Sequence, residues 1–451
     1  MPKGVNYAPW EKAFDRILTP LEEFIHRQTT AGILLMICAV VALIIGNSEL
    51  FPAYDAFLHT KISIGWGEAK FALSIHHWIN ELLMAMFFML IGLELKRELL
   101  VGELSSPKQA LLPMMAAIGG MVLPALGYVL VAGSGPAADG WGIPMATDIA
   151  FAVGALSLLG SRIPKSLITF LIALAIVDDL GAVIVIALFY TAEINSLGLI
   201  FACVAALMLI GLNVIGVRTA LPYIAIGLLL WAAMLSSGIH ATIAGVVLAF
   251  AIPIRPKFSP DHFLQRITDK TDRMRDSIAR DSDIIHNSEF RGLVSAMGDG
   301  VSLVQAPAQR AEHALHLPVA YVIIPLFALA NAGIPIDFAN FSATLSHEIT
   351  LGIIVGLLVG KPLGIFLLTW LTVKLGFAEL PKGMQMSHVL GVGLLAGIGF
   401  TMAIFIADLA FIDNPIALLQ AKTGILFASL AAGLAGFFLL RAVGGSEAES
   451  D

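Results

Sequence analysis

Residues 173–185 read ALAIVDDLGAVIV, with two adjacent carboxylates, Asp178 and Asp179, in the middle of an otherwise apolar run. What surrounds that run decides how it can be tolerated. The chain of 451 residues is 58% hydrophobic and 13% charged, with a mean hydropathy of +0.88, far from the balance of a water-soluble domain. It reads as an all-α polytopic membrane protein. Apolar stretches of about 20 residues, the length a helix needs to cross ~30 Å of hydrocarbon, are bracketed at 29–47, 78–95, 109–133, 143–160, 166–192, 196–217, 219–236, 239–254, 317–336, 348–373, 387–411 and 415–440. Twelve transmembrane helices are therefore expected. The first 28 residues are polar and contain Pro9 and Pro20, so the first span is expected to act as its own insertion signal. Cys38 and Cys203 both fall inside expected spans and suggest neither a disulfide framework nor a metal cluster.

Charge fixes an orientation. With the N-terminus inside, 22 of the 26 Lys and Arg residues lie on the inner side, only Lys61 and Lys70 lie outside, and Lys361 and Lys422 fall within spans. This is the asymmetry of a chain with both termini cytoplasmic. The resulting organisation is a cytoplasmic N-terminal segment (1–28), spans one to eight (29–254), a cytoplasmic insert (255–316), spans nine to twelve (317–441) and a tail (442–451). Two connections are long. In 48–77, KISIGWGEAKFALSI alternates around Gly65 and Gly67, which suits a small outer β-hairpin, with an irregular loop as the alternative. Residues 256–310 are dense in Asp and Arg and are expected to be solvated and partly disordered.

Spans three to five (109–192) start inside and spans ten to twelve (348–440) start outside, so the two triplets have opposite orientation, the pattern of inverted-topology repeats. Each has an interrupted middle span: GIPMATDIAFAVGALSLLG carries Pro144 and several glycines, and GVGLLAGIGFTM carries Gly391, Gly393, Gly397 and Gly399. A mid-span threonine, Thr147 or Thr401, accompanies each. Paired broken spans of this kind point to a transporter's binding site.

Asp148, Asp178, Asp179 and Lys361 stand near span centres, where each charge costs roughly 2.5 to 3.5 kcal/mol. Facing lipid they would cost on the order of 12 kcal/mol together, as much as the net stability of a whole protein. They must face inward. One acid could pair with Lys361, but two aspartates would then lack a basic partner in the membrane, and a bound cation or protons would have to balance them. Carboxylates, a hydroxyl and freed carbonyls are hard ligands for a hard cation. Two acids side by side in a low dielectric resist carrying two full charges, so Asp178 and Asp179 are expected to exchange protons, and proton and cation then compete for one site. At broken helices, N-terminal ends carry roughly +0.5 charge and C-terminal ends roughly −0.5. Asp148 and Lys361 have the signs to compensate such ends; direct ion contact for Asp148 and pairing with Asp178 for Lys361 are the alternatives.

In order along the chain, MATDIAFAVGALSLLGSR, ALAIVDDLGAVIVIALFYT, SGIHATIAGV, PLFALANAGI, GKPLGI and GIGFTMAIFIA resemble the NhaA family of sodium/proton antiporters across nearly the whole chain. The resemblance implies an NhaA-type fold with two interrupted, crossing helices, and a pH-regulated secondary antiporter, not an enzyme. Such a protein exchanges cytoplasmic Na+ or Li+ for external protons, with more than one H+ per Na+, in pH homeostasis and salt tolerance at the bacterial inner membrane. It needs no cofactor and is implied to be a homodimer with contacts that include the outer hairpin. Asp178 and Asp179 would form the ion- and proton-binding pair, with Asp179 the more direct Na+ ligand. Thr147 and Asp148 would sit at the helix crossing, and Lys361 would pair with Asp178. Residues matching a cytoplasmic pH-sensing region are Glu94, Arg97 and Glu98 in GLELKRELL and Glu312, His313 and His316 in AEHALHLP.

Among rival functions, an intramembrane aspartyl protease would place its aspartates on different helices beside a GxGD motif, whereas this pair is adjacent on one helix. A cation channel selects with acidic rings but needs neither interrupted inverted triplets nor a mid-membrane lysine. Asp408, near the end of its span, reads as an outer-interface group in reach of water, with a role in ion entry as the alternative.

Overall fold

A computed structural model describes residues 28–66, 69–191, 194–255, 260–280, 286–336 and 341–444. The expected leader up to residue 27, the tail beyond 444 and Gly67 of the hairpin lie outside the described residues. The chain forms two compact units, one of Met1–Met84, Glu98–Thr191 and Pro318–Asp451, the other of Ala85–Arg97 and Ala192–Leu317.

Helices occupy every bracketed stretch, as they must where no water is available to satisfy backbone groups. Eight are long and apolar enough to cross a membrane alone, among them Pro107–Ala132, Ser196–Ile215 and Pro415–Val443; two bent pairs, Thr30–Gly46 with Phe51–Leu58 and Met386–Ala396 with Phe400–Ala410, qualify together. Three spans contain a π-helical turn, at Trp78–Leu83, Val319–Ile323 and Gly356–Gly360. The last immediately precedes Lys361, and the extra residue such a turn inserts changes which way the following side chains face.

In the first unit, Pro107–Ala132 packs on Lys361–Lys374 through glycine: a Cβ on Gly364 would overlap the Gly119 carbonyl, and one on Gly119 the Gly364 carbonyl. Close approach is what the missing Cβ allows here, as in other small-residue membrane contacts. Pro136–Met145 is 3₁₀-helical; its irregular backbone is held by tyrosines, with Tyr128 OH donating to Ala137 O at 2.6 Å and Tyr190 OH to Asp139 O at 2.8 Å. The strands Lys61–Trp66 and Ala69–Ser74 pair antiparallel from Lys61↔Ser74 to Trp66↔Ala69, so the hairpin forms rather than an irregular loop.

In the second unit, Ser196–Ile215 packs on Ala220–Ser237. Its outer face shows Leu197, Ile200, Phe201, Leu207 and Val214, each more than half exposed, a surface suited to hydrocarbon and not to water. The insert departs from the expected disorder. Pro260–Arg280 and Ser288–Val304 are helices packed on each other. Ile267, Thr271 and Met274 recur on one face at helical spacing, and Asn287 closes the corner by accepting from Phe290 N at 2.9 Å and donating to Ser277 O at 3.1 Å. High charge density hid a narrow apolar stripe, which is all that a two-helix packing requires.

Candidate functional site

Two chain breaks in the first unit meet. The break at 146–148 separates Pro136–Met145 from Ile149–Ser157, and the break at 397–399 separates Met386–Ala396 from Phe400–Ala410. A break frees carbonyls at one helix end and N–H groups at the next, and the two breaks satisfy each other. Asp148 N donates to Ile398 O at 2.7 Å. Thr147 Oγ1 lies 3.0 Å from Ala396 O, at the C-terminal end of one half-helix, and its single proton is shared between that carbonyl and Asp178 Oδ2. The Asp148 carboxylate serves two N-terminal ends: Oδ1 accepts from Phe151 N at 3.2 Å, and Oδ2 accepts from Thr401 N at 3.0 Å and Thr401 Oγ1 at 2.5 Å. Phe400 N, in the same buried first turn, donates to Ser429 Oγ at 3.2 Å.

Lys165–Phe189 brings Asp178 and Asp179 to this crossing, each 1% exposed. Asp178 Oδ2 accepts from Thr147 Oγ1 at 2.7 Å and from Lys361 Nζ at 2.8 Å. Lys361 is wholly buried and also donates to the carbonyl of Met145, the last residue of the 3₁₀ segment. One ammonium thus contacts both the Asp178 carboxylate and the carbonyl that ends the 3₁₀ segment. For Asp148 the carboxylate is spent on helix N-termini.

The structure therefore brings together Thr147, Asp148, Asp178, Asp179 and Lys361. On Asp178 the second oxygen, Oδ1, is buried and receives no hydrogen bond. A carboxylate with one saturated and one open oxygen, next to a second buried carboxylate, offers an acceptor to a proton or a small cation.

The residues expected to sense pH divide between the two units. Arg97 pairs with Glu312 at 2.8 Å in the second unit. His313 and His316 lie exposed on Pro307–Pro318 just beyond Glu312, and Glu94 lies part-buried one turn before Arg97. Glu98 falls in the first unit.

Sequence reading noted Thr401 as a mid-span threonine without giving it a place in the site, and it missed the Met145 and Ala396 carbonyls and Ser429. Glycine and proline positions signalled that backbone groups would be freed; nothing in the sequence says which residue answers each one. Asp408 was expected to reach water freely, and its side chain is instead only 12% exposed. It is ion-paired with Lys422 at 2.8 Å.

A family model described as Na+/H+ antiporter 1 matches residues 22–440. The chain is similar to the Na(+)/H(+) antiporter NhaA of Sulfurimonas denitrificans, 53% identical over 96% of this chain and 98% of that one. It is 49% identical to the Na(+)/H(+) antiporter NhaA 1 of Saccharophagus degradans over 99% and 97% of the two chains. With the Na(+)/H(+) antiporter NhaA of Wolinella succinogenes, 48% is identical over 98% and 96%.

Proposed function

Because the chain belongs to the Na+/H+ antiporter 1 family, we propose that it exchanges cytoplasmic Na+ or Li+ for external protons at Asp178 and Asp179, by alternating access. The observation that carries the reading is the lopsided engagement of Asp178, saturated on Oδ2 and open on Oδ1. A buried oxygen left open is unfavourable unless something small and positive visits it.

In this scheme Lys361 is the internal counter-ion that keeps Asp178 tolerable when no cation is bound. A cation arriving at Asp179 and Asp178 competes with protons for the same oxygens, and with the ammonium for Asp178. When the site faces the other side, protons displace the cation. Two carboxylates discharging for one monovalent ion move more than one H+ per Na+, which makes the exchange electrogenic. Asp148 and Thr147 hold the crossing in place and fix the acceptors around Asp178.

The same reading has twelve crossings, with inverted triplets at 109–192 and 348–440 and both termini cytoplasmic in a bacterial inner membrane. The insert 255–316 is then cytoplasmic. The reading also includes pH regulation through Glu94, Arg97, Glu98, Glu312, His313 and His316, and a homodimer joined in part by the outer hairpin.

The test is a pH-gradient assay in everted membrane vesicles. Sodium or lithium added to energised vesicles should collapse the acid-inside gradient, and Asp179→Asn should abolish the response while the protein stays folded. No response from the unaltered protein between about pH 6 and 9, the range over which near-neutral groups titrate, would overturn the reading.

A further inference from the structure

Beyond the crossing, the half-helix Phe400–Ala410 runs from Thr401 to Asp408. That is about two turns, about 10 Å along the axis, and it returns to the same helix face. Asp408 and Lys422 are 12% and 14% exposed and form an ion pair through Asp408 Oδ1. The other oxygen, Oδ2, is buried and has no hydrogen-bond partner. An ion pair whose only task is to hold two helices together gains from saturating both oxygens; this one leaves an oxygen open.

The surroundings are polar in a way the flanking helices are not. Asn331 Nδ2 donates to Asn80 Oδ1 at 2.9 Å, Asn80 Nδ2 donates to Asn331 Oδ1 at 3.3 Å, and His76 Nε2 lies 2.9 Å from the same Asn331 Oδ1. The His76 ring is within electrostatic reach of both Asp408 and Lys422 and packs edge-on against His77, with ring centroids 6.2 Å apart. Glu81 follows on the π-turn Trp78–Leu83. These groups come from five elements, Ile75–His77, Trp78–Leu83, Ile324–Asn331, Phe400–Ala410 and Pro415–Val443. Carboxylate and amide oxygens are hard acceptors for hard cations and protons.

Resting on the antiport reading above, we propose that Asp408 is an outer station at which the cation and the proton pause between external water and the Asp178–Asp179 site. Lys422 sets the hold. Paired with Asp408 it leaves the station close to neutral, so a cation meets an oxygen that binds it weakly and lets it go, as conduction along a path requires. Asn80, Asn331 and His76 form the polar wall, with the His59 ring stacked on His76 and Glu81 and His77 on the adjoining turns.

The experiment measures half-saturating Na+ at each mouth, using Na+-dependent proton movement in everted and in right-side-out vesicles. Asp408→Asn is expected to raise the outer value relative to the inner one by about tenfold, the order of one lost charge-assisted contact. Asp408→Glu should bring the ratio back toward that of the unaltered protein. Lys422→Met should move the ratio the opposite way, because an unneutralised Asp408 holds the cation more tightly. If Asp408 merely joins helices, Asp408→Asn and Lys422→Met act alike, lower the thermal midpoint and change both mouths together. That result, or an unchanged ratio in all three variants, overturns the proposal. Absence of exchange in the unaltered protein would remove the antiport reading and this station with it.

Discussion

The carboxylate of Asp148 is bonded to Thr401 through both the backbone N–H and the hydroxyl of that residue, at 3.0 and 2.5 Å, although the two residues belong to opposite halves of the chain. One anion thereby closes the positive ends of two helices, Ile149–Ser157 and Phe400–Ala410. Asp148→Asn keeps the shape, removes the charge and turns one acceptor into a donor aimed at donors. The expected loss is about 2 to 3 kcal/mol, the scale of buried hydrogen bonds to a charged group. It is read as a lower thermal midpoint in detergent; an unchanged midpoint would contradict the double capping.

Lys361 and Asp178 are wholly buried against each other. Removing one partner strands a charge, so Lys361→Met is expected to destabilise by about 3 to 5 kcal/mol. Lys361→Met combined with Asp178→Asn should recover much of that loss, because no uncompensated carboxylate remains. Thermal midpoints of the two single variants and the double variant form a cycle, and additivity within it would refute the coupling.

Gly364 meets the Gly119 carbonyl where Lys361–Lys374 crosses Pro107–Ala132. A methyl group there has no empty space to enter, so Gly364→Ala is expected to cost about 1 to 3 kcal/mol as overpacking. It should also depress exchange, since Lys361 rides on the displaced helix. Normal stability with normal transport would show that the contact yields freely.

Arg97 and Glu312 pair with the arginine half exposed. Breaking such a pair contributes less than about 1 kcal/mol, so Glu312→Gln should scarcely move the thermal midpoint. If the pair belongs to a pH-regulating set, the pH profile of exchange shifts while stability does not. A profile that overlays the unaltered one removes Glu312 from that set.

The hairpin Lys61–Trp66 with Ala69–Ser74 has two strands, which leaves an open hydrogen-bonding edge on each. Deleting residues 60–75 is expected to lower dimer content, measured by light scattering in detergent, more than it lowers transport. Unchanged dimer content would exclude the hairpin as a joining surface.

Most of the apolar spans, the Gly- and Pro-interrupted segments and the central charges were legible because each is a local departure from a simple rule: apolarity over one bilayer thickness, Gly or Pro within it, and charge where none belongs. What was not legible depends on meetings between distant parts of the chain. Thr401 looked like one more mid-span threonine until Asp148 was found against it. Asp408 lies near the end of its span, which suggested contact with water; only the packing of the next helix shows Lys422 reaching it. The π-turn before Lys361 leaves no compositional trace in GLLVGKPL. The insert misled in another way, since its dense charge masked apolar residues spaced for a pair of helices.

The exchange of hydrogen bonds between the two breaks has a mechanical corollary. Asp148 N to Ile398 O, Thr147 to Ala396 O and Thr401 to Asp148 act as rivets between two strands of chain. Sliding one segment past the other would tear all three at once, among side chains buried from solvent. Under the alternating access proposed above, the displacement that opens the acids to each compartment in turn carries the riveted joint along intact, as cargo holder rather than as hinge.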